Sequence, residues 1–164
     1  GTIRVGFAYG ARDPLWLARA GRAALTLGIG AMVVTAALFW AIPGLLVRLY
    51  VDPAGDPATA TLAVQLLGVA ALFQLADGAQ AVAAGVLRGV QDTRVPMLIQ
   101  VFGYWLAGFG TAVWLGFGMG WGAVGVWWGL AAGLGVVAVL LLWRWNARGR
   151  LGLMPAREIV PAAR

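Results

Sequence analysis

Four stretches of the chain are apolar on nearly every face: Ala23 to Val47, Leu62 to Leu87, Val95 to Phe117 and Trp121 to Trp143. A hydrocarbon core of about 30 Å takes roughly 20 helical residues to cross, so each run is long enough by itself. A barrel strand would alternate apolar and polar residues over about ten positions, and these runs do not. The expected fold is therefore an all-α membrane protein with four transmembrane helices. Composition agrees, because 62% of the 164 residues are hydrophobic and 11% charged, a balance foreign to soluble domains of this size. The runs divide the chain into a connecting segment at 1–22, a four-helix region at 23–143 and a tail at 144–164. The tail is polar, contains proline and is expected to be poorly ordered. Gly1 stands first in place of Met, and no signal-peptide pattern precedes the first run, so an N-terminal truncation is expected.

The sequence contains no Cys, His, Ser or Lys. That removes the usual acyl-transfer nucleophiles, the commonest general base and the Cys/His patterns of zinc sites, so an enzyme is not expected. The net charge of +6 raises nucleic acid as a partner. The arginines, however, flank apolar spans as topology signals do, and a lipid bilayer rather than nucleic acid is the expected partner. Assigning alternate loops to opposite sides puts eleven arginines (4, 12, 19, 22, 88, 94, 144, 148, 150, 157 and 164) together and leaves only Arg48 opposite. By the positive-inside rule both ends are cytoplasmic, in a multi-pass protein of the inner (plasma) membrane. The Tyr50 to Thr61 loop then faces outward, and its Asp52 and Asp56, set among prolines and a glycine, read as turn chemistry. In the cytoplasmic loop, Arg88 and Asp92 are expected to pair, worth at most about 1 kcal/mol as an exposed contact. Asp92 or Thr93 is expected to cap the following helix, with Pro96 in its first turn.

The second span carries the unusual chemistry. Gln74, Asp77 and Gln80 fall within about 120° of one helical face, and Asp77 lies about 4 Å from the middle of its run at 1.5 Å per residue. An ionised Asp at that depth costs at least ~2.5 kcal/mol to insert, so such groups face bundle interiors or watery cavities and commonly serve ion or proton pathways. The bland reading is a protonated Asp77 acting as packing glue to Gln80 or a neighbouring helix. On the third span Gln100 and Tyr104 are one turn apart and share a face suited to lining a cavity. Gly125, Gly129 and Gly133 form a flat stripe on the last span, expected to pack inside the bundle. Trp121, Trp143 and Trp145 stand where interfacial belts form. Trp105, Trp114, Trp127 and Trp128 lie deeper, where cavity lining by cation–π contact, lipid exposure and core packing are all open.

The run from Phe73 through Gln74, Asp77, Gly78 and Gln80, continuing as Gly85-Val86-Leu87-Arg88-Gly89-Val90-Gln91-Asp92-Thr93-Arg94-Val95-Pro96, resembles the tenth helix and following loop of the multidrug and toxic compound extrusion (MATE) family. Arg4-Val5-Gly6 with Gly10 resembles the loop after the family's eighth helix, and Tyr104-Trp105 with Gly125 to Leu130 its last two helices. The resemblance implies helices nine to twelve of a twelve-helix, two-lobe antiporter: a partial C-terminal lobe whose partners are the missing N-terminal lobe and small organic substrates. It further implies that Asp77 helps bind the coupling Na⁺ or H⁺, with no other cofactor, while the acid that accompanies it in relatives lies upstream. The function implied is export of cationic or amphipathic organic compounds in exchange for that ion. A lipid-linked oligosaccharide flippase, which would want arginines inside its cavity, and a non-transporting assembly subunit are the alternatives. Where relatives often carry Gly-Pro in the eleventh helix, this chain reads Gly108-Phe109-Gly110, and bending there falls to the glycines.

Overall fold

With water absent from a bilayer core, every backbone polar group must find its partner inside the spanning segment, and an α-helix does this residue by residue. The computed structural model describes residues 1–52 and 54–154, among which no strand occurs. Position 53, and the far part of the tail with its expected disorder and Arg157 and Arg164, lie outside the described residues. Helix α1 spans Thr2–Gly10, α2 Pro14–Ala41, α3 Pro43–Arg48 and α4 Pro57–Gly89. Helix α5 runs Arg94–Gly118 and α6 Gly122–Asn146. Four of these, α2, α4, α5 and α6, are long and apolar enough to cross a membrane.

The boundaries follow from proline and carboxylate chemistry. Pro14 and Pro57 occupy first turns, where a missing N–H is no loss. Asp13 accepts hydrogen bonds from the backbone N–H groups of Leu15 and Trp16, both at 2.9 Å, and Asp56 accepts from that of Thr59 at 3.0 Å. Each satisfies helix-start donors that have no partner of their own. Hydrogen bonding from Thr59 holds the Asp56 carboxyl below its ordinary value. Asp52 meanwhile accepts from Ala54 N–H at 3.0 Å, so both acids of this loop do serve turn geometry.

Two departures from the sequence reading arise here. The segment 1–22 is not a plain connector: α1 is helical and buries Val5 and Ala8 fully, and α2 begins within it. The run Ala23 to Val47 is not one helix either. Ile42 leaves helical geometry at φ −133° and ψ 44°, because Pro43 cannot donate and its ring crowds the residue before it.

At the far end of α4 the chain turns by a left-handed cap. Gln91 takes φ 65°, the Asp92 N–H returns to Leu87 O at 3.0 Å and the Gln91 N–H to Arg88 O at 3.0 Å. This pattern satisfies the last carbonyls of α4. Thr93 precedes α5 without any side-chain cap bond, and Asp92 does not cap it, contrary to expectation.

Helix α5 is α-helical only in part. Gly103–Gly110 and Trp114–Gly118 are π-helical, and the ladder closes with Met119 N–H reaching Trp114 O, five residues back, at 2.9 Å. The two stretches lie against the glycine stripe of α6. A Cβ on Gly129 would collide with the backbone of Thr111 and Ala112, and one on Gly133 with that of Gly108. Backbone rests on backbone, and the stripe packs within the bundle. At either end of this seam a valine of α6 fills a glycine notch on α5, Val137 at Gly103 and Val126 at Gly116.

The fully packed core sits at the arginine-rich end, where Val5, Leu17, Ala83, Val86, Leu87, Val137, Leu141 and Trp145 meet. Trp145 is 1% exposed, its ring lying over Gly21. It is a core residue and not the interfacial anchor expected. Trp121 and Trp143 are exposed as belt residues should be, and Trp105 and Trp114 look outward from the bundle.

Candidate functional site

The middle residue of α4 is Phe73, and Asp77 stands one turn beyond it, about 6 Å along the axis. Helix packing decides which way the polar face looks. Gly78 receives Met32 of α2, Phe73 meets Trp127 of α6 edge-on with ring centroids 5.4 Å apart, and the remaining flank adjoins α5. Gln80 is buried on that flank at 7% exposure. Its amide nitrogen donates to Asp77 Oδ1 at 3.1 Å. Its carbonyl Oε1 accepts from Gln100 Nε2 at 3.1 Å and from the Tyr104 hydroxyl at 2.9 Å.

The orientation of Gln80 is over-determined. Its N–H faces the Asp77 carboxyl, while Oε1 faces α5, where the Gln100 amide and the Tyr104 hydroxyl both donate to it. Burial makes each of these bonds consequential, since a buried amide left unpaired costs about 1–3 kcal/mol. The four residues therefore form one chain of hydrogen bonds from Asp77 through Gln80 into α5. Gln74 is not part of it: its amide nitrogen is buried and has no partner among the described residues. The single polar face expected on α4 thus divides into a connected pair and an unconnected third residue.

Asp77 itself is exposed on the surface of this chain. At its depth exposure to hydrocarbon is costly for an ionised group, so the face it presents suits water or further protein. Nearby, Trp127 also lines an open apolar groove of about 510 Å³ together with Phe39, Leu46, Tyr50, Leu66 and Ala70. Among the described residues no three His, Cys, Asp or Glu side chains come together.

The Arg88–Asp92 pair expected in the loop after α4 does not form. Asp92 binds Arg144 of α6, with Arg144 Nε at 2.6 Å from Oδ2 and Nη2 at 3.2 Å from Oδ1. Arg88 is exposed. The reason is the left-handed cap, which turns Asp92 toward the end of α6 and Arg144. What sequence reasoning missed here is a partner 52 residues away; the signal available was an arginine closing the last span, on the same side as Asp92.

Four membrane-length helices, with an ionisable group at mid-depth linked through Gln80 to a neighbouring helix, define a multi-pass α-helical membrane protein with a polar site inside the bilayer. More particularly, the chain belongs to the MatE family, whose model matches residues 1–114. It is 50% identical over 148 residues to the probable multidrug resistance protein NorM of Brucella suis, covering 88% of this chain and 31% of that protein. It is 50% identical over 150 residues to the multidrug resistance protein NorM of Burkholderia vietnamiensis, covering 90% and 32%. With the probable NorM of Pseudomonas aeruginosa it shares 41% over 162 residues, covering 96% and 33%. The chain spans about a third of the length of the curated relatives it matches.

Proposed function

We propose that this chain is the ion-coupling part of a secondary antiporter that exports cationic or amphipathic organic compounds in exchange for Na⁺ or H⁺. The observation that carries the reading is Asp77: a mid-span carboxylate, exposed toward whatever lies beyond this chain, yet tied from behind to a second helix through Gln80. The relatives are called multidrug resistance proteins, which supports drug-like organic compounds as the substrates. The rest of a two-lobe, twelve-helix transporter supplies the opposite wall of the cavity and the second acid. Arginines mark both ends of this chain as cytoplasmic, in the inner membrane. No arginine stands in mid-span to hold a pyrophosphate, so the flippase alternative has no support in these residues.

The chemistry follows from one change of charge. While ionised, Asp77 attracts a cation from outside and accepts a charge-assisted bond from Gln80. Once a proton or Na⁺ neutralises it, that bond weakens, and Gln80 is held chiefly by Gln100 and Tyr104 of α5. The loaded and empty states thereby differ in how α4 grips α5. An ion shifts the transport equilibrium only by its differential affinity for the two states, and this grip is where such a difference can reside. Asp77→Asn in the full-length protein tests the reading. Asn is nearly isosteric and still hydrogen-bonds Gln80, but it carries no titrating charge. Transport in proteoliposomes should be lost under Na⁺ and under H⁺ gradients, with membrane abundance unchanged. Pumping at the parental rate under both gradients would return Asp77 to packing glue.

A further inference from the structure

The arginine-rich end holds a second group of charges that the transport chemistry does not use. Arg148 lies two residues past α6 and folds back over Trp145, its guanidinium carbon 4.4 Å from the ring centroid. One terminal nitrogen donates to Trp145 O at 2.9 Å, while its Nε is buried and has no partner among the described residues. Trp145 is itself fixed against Gly21 of α2, which places the guanidinium beside the next residue, Arg22. Among the described residues the Arg22 side chain donates to the Ala18 carbonyl alone, at 3.4 Å. Burial and the charge of Arg22 both push the Arg148 guanidinium below its ordinary value, although a guanidinium stays charged at any physiological pH.

Two adjacent positive charges normally draw an acid. Among the described residues the acids at this end are already engaged, Asp92 by Arg144 and Asp13 by the first turn of α2. Among the described residues Arg22 and Arg148 thus stand near each other without an acid, and one buried donor is unmet. Phosphate oxygens match a guanidinium fork in both charge and geometry. The pair also stands where the apolar runs end, beside exposed Trp16 and Trp143, at the level that aromatic belts and lipid headgroups share.

We propose that Arg22 and Arg148 bind the phosphate of an anionic phospholipid headgroup between the start of α2 and the end of α6. Basic pockets between transmembrane helices hold acidic headgroups in this manner. A lipid is favoured over free phosphate because the bilayer presents its phosphates at this depth continuously and at high local concentration.

The full-length protein, purified in detergent, would be titrated with phosphatidylglycerol, phosphatidylcholine or inorganic phosphate, and bound lipid read by native mass spectrometry. Phosphatidylglycerol should be retained in preference to phosphatidylcholine. Arg148→Gln and Arg22→Gln should each reduce its retention about fivefold, given about 1 kcal/mol per arginine. Arg150→Gln, at an exposed arginine outside the pair, should leave it unchanged. Since Arg148 also packs on Trp145, the exposed Arg22 supplies the variant that does not risk the fold. Equal retention of the two lipids, or no loss in Arg22→Gln, would overturn the proposal. So would full displacement of the lipid by inorganic phosphate.

Discussion

Replacing Asp92 by Asn should be the most damaging single-atom change at the arginine-rich end of the bundle. The carboxylate receives two hydrogen bonds from Arg144, at 2.6 and 3.2 Å, with the two side chains 7% and 14% exposed. Removing one partner of a buried pair leaves the other charge uncompensated, at about 3–5 kcal/mol. The residual access of Arg144 to solvent favours the lower end, about 3 kcal/mol. Equilibrium unfolding of the full-length protein in mixed micelles, followed by tryptophan fluorescence, would measure it. Replacing both residues, as Asp92→Leu with Arg144→Leu, should recover most of the loss, because an apolar pair carries no desolvation penalty. Arg88→Gln should change stability by less than about 0.5 kcal/mol, as an exposed side chain without this partner. An Asp92→Asn variant within about 0.5 kcal/mol of the parent would refute the reasoning, since it would mean the pair is no better than an exposed one.

Tyr104→Phe removes one of the two donors that hold Gln80 Oε1, a bond of 2.9 Å. With about 1 kcal/mol at stake, the ion concentration giving half-maximal transport in proteoliposomes should shift about fivefold at unchanged maximal rate; an unshifted midpoint would show that α5 does not steady the site. Gly133→Leu should abolish folded protein, because even a Cβ there meets Gly108 backbone, whereas Gly135→Leu, at a position with nothing within 4 Å, should not. Detergent size-exclusion profiles distinguish them, and a well-folded Gly133→Leu would refute the close seam. Cysteines introduced singly at positions 56 and 150 should be labelled and protected, respectively, by an impermeant thiol reagent in intact cells. The reverse pattern would invert the proposed topology.

The class of fold was plain in the sequence because membrane length and continuous apolarity are properties of single segments. Gln100 and Tyr104 were visible as a same-face pair for the same local reason, and Asp77 by its depth. What depended on two segments meeting was not legible. The partner of Asp92 is fixed by a left-handed turn at Gln91, a residue with no strong preference for that conformation, and by an arginine far along the chain. Trp145 looked like a belt residue because tryptophan at a span end usually is one; only Gly21 on another helix makes room to bury it. Pro43 did signal the break at Ile42, but a run of apolar residues on both sides hid it. Gln74 is the opposite case, a residue whose helical angle is right and whose neighbours offer its amide nothing.

The valines that seat in Gly103 and Gly116 have a consequence for how α5 is measured. The two notches are thirteen residues apart along α5, while Val126 and Val137, which fill them, are eleven apart along α6. At 1.5 Å per residue α6 covers about 16 Å between these points, and a uniform α-helix in α5 would cover about 3 Å more. The two π-helical stretches take up that surplus, since each packs an extra residue into a turn. The third span is thus longer in sequence than in space. A depth assigned to Trp114 or Phe117 by counting residues from Arg94 overshoots, and the membrane register of the whole outward half of this helix has to be set by its neighbour.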